Sequence, residues 1–239
     1  MKNIYKIILC IIFILFLYTC YLLYPIYQAM NVSNIMMVNT APFEQHPSNP
    51  NKYILVAGDS IAVGIGAVDP KESIAGRLGS QFPNADITNL GMSGAKLKDL
   101  LVVLHKQNTK HYDLVILQIG ANDITHFTPY HTIRMELAEV IALSNELSSK
   151  TIILTAGNIG NAPVFHWPLS TIITDRTVNV RAIFIDETEK NKAVSYIDLF
   201  KNRKDDPLVK NFKKYYSSDL FHLSGDGYGI WYFYIQKEL

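Results

Sequence analysis

The chain predicts a three-layer α/β/α domain with a mainly parallel sheet, preceded by one N-terminal transmembrane helix. Three observations carry that expectation. An uncharged run, IILCIIFILFLYTCYLLY, occupies positions 7–24. Beyond residue 50, short runs rich in Ile and Val recur, of the near-continuous apolar kind that suits strands buried on both faces. Segments with apolar residues at helical spacing stand between those runs. Strand–helix alternation with short connections argues for a parallel sheet covered by helices on both sides.

The apolar run has about the minimum length needed to span a bilayer, and Pro25-Ile26-Tyr27 extend it. A cleaved leader has a shorter apolar core followed by a small-x-small site. Here the first candidate, Ala29, has Tyr27 two positions before it. Leu17-Tyr18-Thr19-Cys20 runs on into more apolar sequence, unlike a lipoprotein processing site. Residues 1–27 therefore read as an uncleaved anchor; the run is apolar on every face, which favours a membrane span over the alternative of a buried helix of the globular core. Lys2 and Lys6 precede the run and no charge follows until Glu44. The positive-inside rule then puts the N-terminus in the cytoplasm and the rest of the chain on the periplasmic or extracellular side. Cys10 and Cys20, the only cysteines, both lie in the span, so the outer region has neither disulfide nor thiol chemistry.

Residues 28–50 show no clean period and end in Pro, Ser and Asn turn signals, so they read as a linker or a loosely docked arm. Residues 51–239 are then one domain, long enough for a sizeable core. Its strands are expected at 53–57, 86–90, 114–119, 151–155 and 193–197. Leu97, Leu100, Leu101 and Leu104 follow helical spacing, as do Ile133, Leu137, Val140 and Ile141. A long amphipathic helix is expected over 168–190, and YGIWYFY (228–234) reads as the aromatic core face of a closing helix. The resulting sheet is flavodoxin-like, and in such folds ligands bind beyond the carboxyl ends of the strands.

Charge removes several classes. Of 22 basic residues, Lys2 and Lys6 stand ahead of the apolar run, so the remaining 20 face 21 acidic ones. That balance leaves no electrostatic footprint for nucleic acid. Seven histidines raise the question of a metal. His126 and His131, or His105 and His111, are spaced so that neither pair shares a helical face, and no cysteine or carboxylate clusters with them. No metal is expected. Gly64, Gly66 and Gly76 make no dinucleotide fingerprint, because Asp69 stands where the third glycine belongs. A phosphate-binding Gly-x4-Gly-Lys-Ser loop is also missing, so no cofactor is expected. Nothing in the pattern specifies an oligomeric state.

Polar clusters end three of the apolar runs: Gly58-Asp59-Ser60, Gly91-Met92-Ser93-Gly94 and Gly120-Ala121-Asn122-Asp123. A fourth, Asp219-Leu220-Phe221-His222, precedes the closing helix. By itself Ser60 is a helix cap as readily as a nucleophile, and Asp59 is an equally good cap. Acyl transfer needs a hydroxyl nucleophile, a base for its proton and a group to orient that base. It also needs donors facing the oxygen that becomes negative. Ser60 supplies the hydroxyl and His222 the base. Asp219, three residues earlier, can curl back onto the imidazole. The N–H groups of Ser60 and Gly91 and the amide of Asn122 are the candidate oxyanion donors, with glycine at 91 expected to let backbone approach substrate.

These four blocks, in this order, resemble the SGNH hydrolases, also called GDSL-type esterases and lipases. Gly58-Asp59-Ser60 is similar to the first block, with Ile61 in place of the family's leucine. Asn89-Leu90-Gly91-Met92-Ser93-Gly94 is similar to the second, Gly120-Ala121-Asn122-Asp123 to the third and Asp219-Leu220-Phe221-His222 to the last. Leu223 stands where the family often has proline. The resemblance implies a Ser60–His222–Asp219 triad, an oxyanion hole from Ser60, Gly91 and Asn122, and an ester or acylated small molecule, glycan or lipid as substrate. Gly-Asp-Ser alone arises by chance in roughly 3% of chains of this length. Four blocks in order, three at strand ends and one before the closing helix, do not, so Ser60 reads as the nucleophile.

The expected activity is a membrane-anchored serine hydrolase of carboxylic esters. The alternatives are an O-acyltransferase or deacetylase acting on cell-envelope polysaccharide, and an inactive glycan- or lipid-binding domain. Asp59 and Asp123 read as structural, bracing their turns by local hydrogen bonds. The segment NIGNAPVFHW (158–167) follows a strand at the same end of the sheet. It reads equally as a loop packed on its neighbour and as a substrate wall lined by Phe165, His166 and Trp167.

Overall fold

The five apolar runs become five strands: those at 53–57, 114–119 and 151–155 bury both faces along most of their length, whereas the edge runs at 86–90 and 193–197 bury theirs only in part. The computed structural model of the chain describes residues 2–107 and 111–239. After the N-terminal helix α1 (Lys2–Asn39) come β1 (Lys52–Gly58), α2 (Ser60–Val63), α3 (Ile74–Gln81), β2 (Ala85–Gly91) and α4 (Leu97–His105). Then follow β3 (Leu114–Gln118), α5 (Ala121–Thr125), α6 (Tyr130–Leu147), β4 (Thr151–Leu154), α7 (Leu169–Thr188) and β5 (Val194–Ile197). Two single turns, α8 (Pro207–Lys210) and α9 (Phe212–Tyr215), precede the closing helix α10 (Gly225–Ile235).

The strands pair in the order β2-β1-β3-β4-β5, every pair parallel. Successive side chains of a strand point to opposite faces, so each strand feeds two cores. Ile54, Val56, Ile116 and Ile152 pack with Ile74, Leu78, Tyr228 and Trp231 under α3 and α10. Leu55, Ala57, Val115 and Ile153 pack with Leu100, Leu137, Val140 and Phe184 under α4, α6 and α7. The chain winds one way from β1 to β2 and the other way from β3 onward. The crevice between β1 and β3 is therefore the switch point where ligands bind in sheets of this order.

The segment after residue 27 departs from the expected irregular linker over 28–50. Helix α1 continues unbroken to Asn39, with Pro25 inside it. Between Gln28 and Asn39 no Gly or Pro interrupts it, and tertiary contact supplies what the local pattern lacks. Ala29 is buried against the domain and Ile26 packs beside it. Residues 40–50 then lie along the outer edge of the sheet. Gln45 exchanges backbone hydrogen bonds of 3.2 and 2.7 Å with Ile87, and its side-chain amide donates to the carbonyls of Phe82 and Ala85. The arm thus covers the β2 edge, which would otherwise present unpaired backbone. Helix α1 is, among the described residues, the one helix long and apolar enough to cross a membrane.

Candidate active site

The end of β1 sets the position of Ser60. Gly58 takes a φ of 142°, and a Cβ there would stand 1.8 Å from the Gln118 carbonyl oxygen, so only glycine lets β1 and β3 end side by side. Asp59 is extended and caps α2: its Oδ1 accepts the Ile61 N–H at 2.9 Å. Ser60 is consequently free of the capping task. It opens α2, where the first N–H groups of a helix have no intrahelical partner.

The hydroxyl of Ser60 stands 2.9 Å from Nε2 of His222, and Nδ1 of His222 stands 2.5 Å from Oδ2 of Asp219. All three residues are buried. The Asp219 side chain shapes its own loop, for Oδ1 accepts the N–H groups of Phe221 (3.0 Å) and His222 (2.9 Å) and the Ser217 hydroxyl (2.7 Å). Burial alone opposes ionisation of this carboxyl. The hydrogen bond and charge attraction of His222, with the hydroxyls of Ser33 and Ser217, outweigh burial and hold it well below the usual carboxylate range. A carboxylate on Nδ1 keeps the proton there and leaves the Nε2 lone pair facing the hydroxyl, the arrangement a general base requires.

Asn122 and Gly91 stand at the ends of the neighbouring strands. Gly120, with φ 113°, turns the chain into α5. The Asn122 amide donates to the Ala95 carbonyl at 3.0 Å, using one of its two hydrogens. Gly91 lies opposite Gly58 in the β1–β2 pairing, and its N–H is held by Asn89 Oδ1 at 3.0 Å. Packing by itself requires glycine here, whatever the expected approach of backbone to substrate adds. A Cβ at 91 would lie 2.6 Å from the Val63 nitrogen, so glycine is needed for β2 to end against α2.

A cavity of about 60 Å³ opens beside Ser60 and His222 and runs between Ile159, Leu208, Tyr216 and Trp231. Asn158, Ile159 and Ala162 supply the wall that the 158–167 segment contributes. Its Phe165, His166 and Trp167 do not line that cavity. Phe165 meets Phe221 edge-on at 6.0 Å, His166 packs on Tyr21 of α1, and the Trp167 carbonyl accepts the Tyr18 hydroxyl. Among the described residues, no three His, Cys, Asp or Glu side chains converge as a metal site would require.

Residues 56–230 match the GDSL-like lipase/acylhydrolase family. The chain belongs to that family. It is an ester-hydrolysing enzyme, and the matched segment contains Gly58, Ser60, Gly91, Asn122, Asp219 and His222. No curated protein matches the chain. Solved structures with the same fold include a lipolytic G-D-S-L family protein from Veillonella parvula, at 16% identity and TM-score 0.58, covering 77% of this chain and 96% of that one. An acetylxylan esterase from Geobacillus stearothermophilus is 19% identical with TM-score 0.54, covering 80% of this chain and 94% of its own. A family 3 carbohydrate esterase from Clostridium thermocellum is 18% identical with TM-score 0.56, covering 78% and 94%.

Three residues that support the site of this GDSL hydrolase escaped the reading of its sequence. Ser33 donates to Asp219 Oδ2 at 2.6 Å from the N-terminal helix, and no local pattern marks it. Ser217 stands two residues before Asp219, and a Ser-x-Asp turn was a usable local signal. Arg176 of α7 is buried and donates to the carbonyls of Ile124 (3.0 Å), Asp123 (3.3 Å) and Thr128, with its guanidinium 4.6 Å from the Tyr130 ring centre. It thereby pins the α5–α6 connection just beyond Asn122. Asp123 is structural, but its bond is not local: Oδ2 accepts the Leu97 N–H, 26 positions away, at 3.0 Å.

Proposed function

We propose that this enzyme cleaves short-chain carboxylic esters through a Ser60–His222–Asp219 triad and an acyl-enzyme. The observation that carries the reading is the continuous line from Asp219 Oδ2 through His222 to Ser60 Oγ, with contacts of 2.5 and 2.9 Å. Ser60 Oγ attacks the ester carbonyl carbon while His222 Nε2 takes its proton. The carbonyl oxygen becomes an oxyanion, faced by the Ser60 N–H, the second amide hydrogen of Asn122 and the Gly91 N–H. For Gly91 this means sharing its hydrogen with Asn89 Oδ1. Collapse of the intermediate expels the alcohol, protonated by His222, and water repeats the sequence to free the acid. Each oxyanion donor contributes about 3 kcal/mol to transition-state stabilisation.

Cavity size supports a short acyl group. The space beside Ser60 is narrow and closely bounded by Ile159, Leu208, Tyr216 and Trp231, which favours a small acyl group. Acetyl esters of glycans belong to this class, and two proteins sharing the fold carry carbohydrate-esterase names. The apolar first part of α1, ahead of the point where Tyr18 and Tyr21 meet the 158–167 segment, supports attachment to a membrane, so the anchor is shorter than the expected residues 1–27. Lysines only on its N-terminal side favour a catalytic domain outside the cytoplasm.

The test is hydrolysis of a p-nitrophenyl ester series by the full chain in detergent. Turnover falls from acetate to octanoate, and Ser60→Ala abolishes it while the melting temperature is kept. Persistent activity in purified Ser60→Ala protein sinks the triad.

A further inference from the structure

We propose that Ser33, on the N-terminal helix, is a positioning residue for the reaction: its hydroxyl holds the Asp219 oxygen that faces the His222 imidazole, so seating of α1 completes the triad. The proposal rests on the Ser60–His222–Asp219 reading and extends it to a residue far from the family blocks.

The two oxygens of Asp219 are held in different ways. Oδ1 accepts from Ser217, Phe221 and His222, all within its own loop. Oδ2 accepts from His222 Nδ1 and from Ser33 Oγ, and Ser33 lies 186 positions earlier in the chain. The loop alone therefore fixes the oxygen that does not touch the imidazole. Ser33 occupies the free side of the oxygen that does. With that side engaged, the carboxylate plane has little freedom to turn away from Nδ1 when the imidazole acquires the Ser60 proton. A hydrogen bond to a charged acceptor is the stronger kind and a geometric constraint as well.

A serine inside a helix ordinarily returns its hydroxyl to a backbone carbonyl four residues back. Thr19 of the same helix does this, donating to the Leu15 carbonyl at 2.9 Å. Ser33 instead reaches out of α1 to Asp219. Helix α1 is also seated at a second place on the same loop system. The Tyr18 hydroxyl donates to the Trp167 carbonyl at 3.0 Å, and the Tyr21 ring lies 5.1 Å from that of His166. The segment carrying those residues bonds to the catalytic loop through Val164 N–H to Leu220 O at 3.3 Å and through Phe165 against Phe221. From Tyr18 to Ser33 is about 22 Å of helix, so α1 reaches both supports of the His222 loop.

The experiment uses the full chain in detergent micelles, with p-nitrophenyl acetate as probe. Ser33→Ala lowers kcat about five- to tenfold with KM and melting temperature unchanged, and Ser33→Thr, which keeps the hydroxyl, restores the wild-type kcat. The far-downfield proton resonance of the His222–Asp219 hydrogen bond moves in Ser33→Ala and returns in Ser33→Thr. A wild-type kcat in Ser33→Ala overturns the proposal, as does a loss that Ser33→Thr fails to rescue or one matched by a fall in melting temperature. If Ser60→Ala is inactive while Ser33→Ala matches wild type, only the role of Ser33 falls. If Ser60→Ala stays active, the triad falls and this inference with it.

Discussion

Replacing Asp59 with asparagine will stabilise the protein at alkaline pH and flatten its pH dependence. Asp59 is fully buried beside Ser60; one oxygen caps α2 and the other has no partner among the described residues. Burial pushes its carboxyl up from 3.8 to about 7. Between those values the folded protein holds a proton that the unfolded chain has released, so stability falls as pH rises. The loss is complete a little above the folded value, where both states are ionised. Linkage puts the cost at about 2 kcal/mol near pH 5 and about 4 kcal/mol near pH 8, a difference of about 2–3 kcal/mol. Asparagine keeps the capping oxygen and mimics the neutral acid, so Asp59→Asn escapes that cost. Urea unfolding of both proteins, followed by the fluorescence of buried Trp231, gives the stabilities at the two pH values. Other titrating groups are common to both proteins and cancel in the difference. If Asp59→Asn gains no more stability at the higher pH than at the lower, the carboxyl is not held neutral by burial, and the reasoning fails.

Asn122→Ala will cut kcat for p-nitrophenyl acetate by about a hundredfold or more, with a much smaller change in KM, since its amide is assigned to the transition-state oxygen. A rate within a few-fold of wild type would remove Asn122 from the oxyanion site. For topology, a reporter enzyme that folds only outside the cytoplasm, fused after Leu239, will be active. Activity of a cytoplasm-only reporter at the same position reverses the orientation.

How much was legible depended on where each partner lay in the chain. The central strands were visible because a strand buried on both faces writes a continuous apolar run, as Ile54-Leu55-Val56-Ala57 does, while the edge strands β2 and β5, buried only in part, write a weaker one. The surface helices were visible because only one stripe of each is buried, as with Leu97, Leu100 and Leu104. Ser60, Asn122, Asp219 and His222 stood out because parallel sheets gather polar loops at one end, and those loops punctuate the apolar runs. The continuation of α1 past Tyr27 was not legible. Its helicity is stabilised by docking, and nothing within residues 28–39 announces that surface.

The same distinction separates the remaining cases. The sequence by itself determined the parallel sheet between two helical layers and the set of chemical groups at the ends of its strands, because hydrophobic periodicity and strand-end punctuation are local properties, whereas the strand order β2-β1-β3-β4-β5 is a matter of tertiary pairing. Only the tertiary structure decided that Asp59 and not Ser60 caps α2, and that Gly91 is glycine for the sake of Val63. It alone decided that Asp123 bonds to Leu97 and that Ser33 reaches Asp219. The Asp59 cap is a local contact whose alternative only the folded turn excludes, the Gly91 requirement is the space left between β2 and α2, and the Asp123 and Ser33 bonds join partners 26 and 186 positions apart that no spacing along the chain encodes.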